Sequence, residues 1–222
     1  MEQITNKRKR GRPSAKQELN IEDVLDKAIQ VFAEKGFEGA QMKQIAKRAG
    51  IASSLMNYHF GNKEALWKKA VKRLGKRLRH RFDEIDSYFK DVKGLALIKA
   101  FNRQFIYFSA ANPEFYKIIL HEMCFRTERT KWFINTILQP MNDRFEALWE
   151  EEHADKPITK TIPIPNLMIT LISSANAFFL HAYQVEEMYG INPFDQEEIE
   201  RHADIINDLF FGRFEGDKTV RG

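Results

Sequence analysis

Side chains able to bond the edge of a base crowd one short stretch of this chain. Ser53 and Ser54 precede Met56, Asn57, Tyr58 and His59 fall between Met56 and Phe60, and Lys63 follows. On a helix the two apolar residues take one side and the polar ones the other. An Asn amide so presented can satisfy adenine N6 and N7 together, while the short Ser53 and Ser54 let the backbone approach a groove. A second group lies near the start, in Arg10-Gly11-Arg12-Pro13. Gly allows an extended backbone deep in a narrow groove and Pro holds it extended. The two Arg then reach the negative potential of A·T steps. A basic tail also binds phosphates without sequence preference, and both readings stay open.

Signatures of catalysis are missing. There is no Gly-rich phosphate loop and no G-x-S-x-G. His121 and Glu122 open an H-E-x-x-H pattern, but Phe125 stands at its closing position. His121 and Cys124 share a helix face at i, i+3, yet two ligands do not make a tetrahedral site. The expectation is a protein that is not an enzyme, with no cofactor and no metal. A different chemistry suits the later aromatic residues. Many rings interrupted by Asn102, His121, Arg126, Asn176 and His181 fit an apolar cavity with a few polar anchors. The pocket is expected among Phe105, Tyr116, His121, Arg126, Trp132, Asn176 and His181.

The elements that must position these groups read as helices throughout. Apolar residues at 21, 24, 25, 28, 29 and 32 give a first helix, capped by Asn20 and ended by Gly36. A second helix carries Met42, Ile45, Ala46 and Ala49 and stops at Gly50; a third runs over about 53–58, closed by Phe60 and Gly61. Together they make a helix-turn-helix whose second member can lie in a major groove. A long helix over 63–89 keeps Trp67, Ala70, Val71, Leu74 and Leu78 on one side. Further helices are expected at 95–111, 113–125, 128–152 with a kink at Pro140, 166–189 and 196–211.

Charge divides the chain in the same place. Residues 1–81 hold 20 Lys and Arg against 8 Asp and Glu, net +12, and residues 82–222 hold 15 against 23, net −8. A basic end beside an acidic remainder suits nucleic acid at one end and another partner at the other. The polar, basic start offers no apolar signal segment and the single cysteine fits a reducing compartment, so the expected location is the cytoplasm, with no membrane partner.

The segment FAEKGFEGAQMKQIAKRAGIASSLMNYHFGNKEALW, residues 32–67, resembles the DNA-binding domain of the TetR family of bacterial transcriptional regulators. The likeness includes Gly36-Phe37, the Ile-Ala-x-x-Ala-Gly run at 45–50, and His59-Phe60 followed by Lys63-Glu64. It implies an all-α homodimer that binds a double-stranded operator with partly palindromic half-sites, most simply a repressor released by a small apolar or amphipathic effector. It also implies a flexible basic arm at 1–20, a helix-turn-helix domain at 21–78 and a ligand-binding and dimerisation domain at 79–222. Tyr58, His59 and Lys63 match positions that contact phosphate in the family. Gln41 and Lys43 open the second helix on the DNA side, where the family often has Thr in place of Gln41, and Asn57 stands where it often has Tyr. The final two helices are expected to pair across the dimer through Ile172, Ala175, Phe179, Ile206 and Phe210, which recur at three- and four-residue spacing within each helix. A DNA-organising protein without an effector is the alternative.

Overall fold

The computed structural model describes residues 20–153 and 162–215. All regular structure among them is helical: α1 (Ile21–Gly39), α2 (Met42–Arg48), α3 (Ser53–Phe60), α4 (Lys63–Tyr88), α5 (Gly94–Ala111), α6 (Pro113–Met123), α7 (Glu128–Phe133), α8 (Gln139–His153), α9 (Ile164–Leu180), α10 (Ala182–Tyr189) and α11 (Gln196–Glu215). The all-α expectation holds. Arg10, Arg12 and the rest of the basic arm up to residue 19 lie outside the described residues.

Local chemistry sets the helix ends. Asn20 Oδ1 accepts from the Glu22 and Asp23 N–H groups at 3.1 and 3.2 Å, filling the cap role its sequence position suggested. Gly36 breaks the regular part of α1, with φ 65° and ψ 176°. Such backbone is open essentially to glycine alone. Between α2 and α3 the Gly50 N–H bonds Lys47 O and the Ile51 N–H bonds Ala46 O, with Gly50 at φ 68°. This crossed pair closes the helix and turns the chain sharply into α3.

Two expected helices are each divided. The 128–152 segment is not simply kinked at Pro140, because a π turn at Ile134–Leu138 precedes it and joins α7 to α8. Pro140 cannot donate a backbone hydrogen bond and its ring crowds the carbonyl of Thr136, so a wider turn just before it relieves both problems. The 166–189 segment breaks at His181, whose φ of −95° and ψ of 21° leave the helical region, and α9 and α10 meet at a 58° bend.

The apolar interior forms two clusters. In one, Val24, Phe32, Ile45, Met56, Phe60, Trp67 and Leu74 of α1–α4 pack with Phe115 and Ile118 of α6, Phe133 of α7 and Ile137 of the π turn. The other joins Ile98 and Ile106 of α5 to Trp149 of α8, Leu171 and Phe179 of α9, and Ala203, Ile206 and Phe211 of α11. The first cluster therefore runs across the boundary expected at 78/79. No single helix among the described residues is long and apolar enough to cross a membrane.

Candidate nucleic-acid interface and ligand cavity

α3 is anchored by two side chains and offers most of the rest. Met56 and Phe60 are buried, whereas Ser53, Ser54, Asn57 and Tyr58 are exposed, Tyr58 at 82%. His59 is half-buried and its ring stands edge-on to Tyr58. Among the described residues Ser53, Ser54 and Asn57 have no side-chain hydrogen bonds, which leaves their donors and acceptors for an incoming partner. Gln41 and Lys43 are exposed at the start of α2, and Gln41 caps that helix without a side-chain hydrogen bond.

Lys63 departs from expectation. Its Nζ donates to Phe37 O at 2.8 Å and lies 4.4 Å from the centre of the Phe37 ring. The ammonium holds the broken end of α1 and is already engaged where a phosphate contact was expected. Lys69 stands nearer to α3, its Nζ donating to His59 O at 3.4 Å. The sequence reading missed it because nothing in helix periodicity distinguishes one lysine of α4 from the next.

Ion pairs tie α1, α2 and α4, the helices around α3, into a unit. Arg48 of α2 holds Glu34 of α1 through two bonds of 2.5 and 2.9 Å. Arg73 and Arg77 of α4 converge on Asp26 of α1. Burial of Asp26 pushes its carboxyl pKa up, but the Arg73 hydrogen bond and the two guanidinium charges outweigh that and leave it below the ordinary value.

The second feature is a cavity between α4, α5, α8 and α9. Phe82, Phe101, Phe105, Met141, Phe145, Met168, Leu171 and Ile172 supply apolar walls, with Asn102, Asn142 and Arg144 among them. It is a slit of about 50 Å³ that widens to about 480 Å³ of atom-free space when its open mouth is counted. Arg144 is committed to Asp86 of α4.

Residues 24–70 match the amino-terminal domain of the family described as bacterial regulatory proteins, tetR family. The likeness to that family by sequence rests on these residues. A curated relative, the biofilm operon icaADBC HTH-type negative transcriptional regulator IcaR of Staphylococcus epidermidis, is 38% identical over 48 residues, or 22% of this chain and 26% of the relative. The chain thus matches about a quarter of the length of the curated relatives. The fold likeness extends further. The fatty acid degradation regulator FadR from Bacillus halodurans superposes with a TM-score of 0.65 at 18% identity, over 93% of this chain and 99% of that one. FadR from Bacillus subtilis in complex with stearoyl-CoA gives 0.63 at 15% identity, over 85% and 96%.

In this chain the expected pocket set is scattered. Only Phe105 lines the cavity. His121 packs against Gly36, where a Cβ would meet its Nδ1 at 3.0 Å. Trp132 meets Trp67 of α4 edge-on. Arg126 is exposed beside a separate open groove. The Tyr116 hydroxyl bonds Ser173 Oγ at 3.2 Å, Asn176 Nδ2 donates to Ile172 O within its own helix, and His181 is exposed at the α9–α10 break. Helix pairing decides which rings converge, and it brings Phe82, Phe101, Phe105 and Phe145 to one cavity.

The expected dimer set needs a similar correction. Ala175, Phe179 and Ile206 are 0%, 3% and 4% exposed inside the protomer. Ile172 lines the cavity, and the half-buried Phe210 packs on the same interior cluster. The stripe these residues form faces its own core, because α9 and α11 pack on α5 before any partner arrives. Exposed apolar side chains on α9 and α11 are instead Ile169, Ile205 and Leu209.

A clamp joins the head to α6 and α7. Glu122 of α6 is 1% exposed and receives Arg129 Nε at 3.1 Å and the Thr130 hydroxyl at 3.3 Å. The Arg129 guanidinium sits 3.6 Å from the centre of the Phe37 ring. A buried carboxylate with these partners is tied to the aromatic surface that carries α3.

Proposed function

We propose that this protein is a DNA-binding transcriptional regulator, a repressor whose two copies engage a partly palindromic operator and are released by a small apolar or amphipathic effector. The observation that carries the reading is the exposed, unbonded polar row of α3 on a basic tetR-type head. Asn57 reads a base edge, and Tyr58 and His59 hold phosphates, with Gln41, Lys43, Ser53 and Ser54 completing the contact surface. Arg10 and Arg12 extend the contact into the flanking minor groove. The head comprises residues 21–78 and the effector and dimer region 79–222. The protein acts in the cytoplasm and performs no catalysis.

Two copies meet through α9 and α11, using Ile169, Ile205 and Leu209. That places two α3 helices on one side of the dimer, where a separation of about 34–36 Å or a multiple matches successive major grooves. The name of IcaR describes a negative regulator, and the FadR complex with stearoyl-CoA shows this fold accepting a lipophilic effector; both support the reading. The effector enters the slit beside Phe82 and Phe105. Binding sites should be selected from a random duplex pool with the full chain. Recovery of an inverted repeat whose affinity exceeds random DNA at least a hundredfold at about 150 mM salt supports the proposal, and equal affinity for both overturns it.

A further inference from the structure

The wall of the slit carries one polar atom with unmet demand. Asn102 is 3% exposed, and its Oδ1 is buried with no hydrogen-bond partner. Its orientation is set from behind. Asn207 of α11 donates Nδ2 to Lys99 O at 3.3 Å, so its Oδ1 must turn toward Asn102, whose Nδ2 donates to it at 2.8 Å. Reversing either amide would set two acceptors or two donors against each other. Asn102 thus keeps Oδ1 as an unpaired acceptor, while Nδ2 spends one of its two N–H groups on Asn207.

The remaining walls sharpen the specification. Arg144 is the one charged side chain in the lining, and its guanidinium is bound to Asp86 and lies over the Phe101 ring. Among the described residues that line the slit, no free cation waits for a carboxylate or phosphate. An anionic head placed near Asn102 would meet a fixed acceptor in an apolar surrounding, where repulsion is poorly screened. The narrow interior of the slit favours a flat ring system or a single slender chain, since only such shapes enter between packed helices with little parting.

Resting on the ligand-responsive reading above, we propose that the slit takes an uncharged lipophile, flat or slender, whose polar end is a hydroxyl or N–H that donates to Asn102 Oδ1. A donor there satisfies the buried acceptor, and an ether or ester of the same shape leaves it unmet.

The test uses the full-length chain and matched probes: 2-naphthol against 2-methoxynaphthalene, 1-decanol against 1-methoxydecane, and decanoate as the anion. Affinities are measured by calorimetry, and each probe is also scored for its effect on the selected duplex. At least one alcohol should bind about tenfold tighter than its ether and than decanoate. In Asn102→Leu that preference should shrink to about twofold, while Asn142→Leu should keep it. The wild-type comparison stands even if a variant fails to fold. Equal or tighter binding by the ethers or decanoate, or no binding by either pair, overturns the assignment. Discrimination without any change in DNA affinity instead upholds the donor site and overturns the ligand-responsive reading.

Discussion

Asn57 and Lys63 both looked like DNA contacts in the sequence, yet their surroundings give them different tasks. Asn57→Ala should leave folding untouched, since the side chain has no described partner, and should relax preference at one base per half-site at a cost of about 1 to 3 kcal/mol. Binding to a set of single-base operator variants checks this. Lys63→Ala removes the donor that holds Phe37 O, so the melting temperature should fall together with affinity for every sequence. A variant that melts like the wild type and loses only DNA affinity would return Lys63 to the phosphate role. Gly36→Ala should cost about 1 to 3 kcal/mol in denaturant unfolding, because the backbone there is closed to a Cβ and His121 already occupies the space. At this scale the sequence disclosed much of α3, since polar and apolar residues sort by helix period. It could not disclose that Lys63 turns inward or that His121 serves the head, because both depend on contacts far apart in the chain.

Helix existence was legible almost everywhere, and the differences concern where helices break and which way they face. Pro140 announced an irregularity, but not the form it takes, a π turn whose Ile137 packs near Gly75 of α4. The stripe on α9 and α11 was real, and its partner turned out to be α5. His202 of α11 shows what that packing demands. It lies between Phe178 and Phe179 with Nε2 at 3.2 Å from Ala175 O. Burial lowers its pKa below 6.5 and outweighs the backbone hydrogen bonds. The folded state therefore prefers the neutral ring. Its stabilising contribution is fully present above the unfolded value of 6.5 and is lost as pH falls through that value toward the lower folded one. Thermal stability should accordingly drop on going from pH 7.5 to about 5.5, and His202→Gln should flatten that drop; an unchanged slope would assign the loss to other groups. The Glu122–Arg129 clamp gives a second element-scale expectation. Glu122→Ala leaves Arg129 buried without its main partner, at about 3 kcal/mol or more, and should loosen α6 from the head in hydrogen-exchange measurements.

For the whole molecule, the two corrected surfaces separate folding from assembly. Phe179→Glu puts a charge into the protomer interior and should unfold the chain outright. Ile169→Glu with Leu209→Glu alters exposed positions and should give folded monomers with weak operator binding. Sedimentation and circular dichroism distinguish these outcomes, and a stable dimer of the double variant would move the interface elsewhere. On the proposed reading, the head and the cavity communicate through α4, which contributes to both. From Lys63 to Phe82 the helix rises ~28 Å, and Asp26, Arg73 and Arg77 bolt α1 to its upper half. Such a rod is a lever with the slit near its short handle. A swing of only ~5° carries the DNA end through ~2.5 Å by simple geometry over that rise. In two copies swinging apart the displacements add to ~5 Å, a sizeable fraction of the width of the major groove. On the proposed reading, a change of side-chain dimensions at Phe82 would thereby be geared up to a mismatch in reach that rigid duplex DNA cannot follow cheaply.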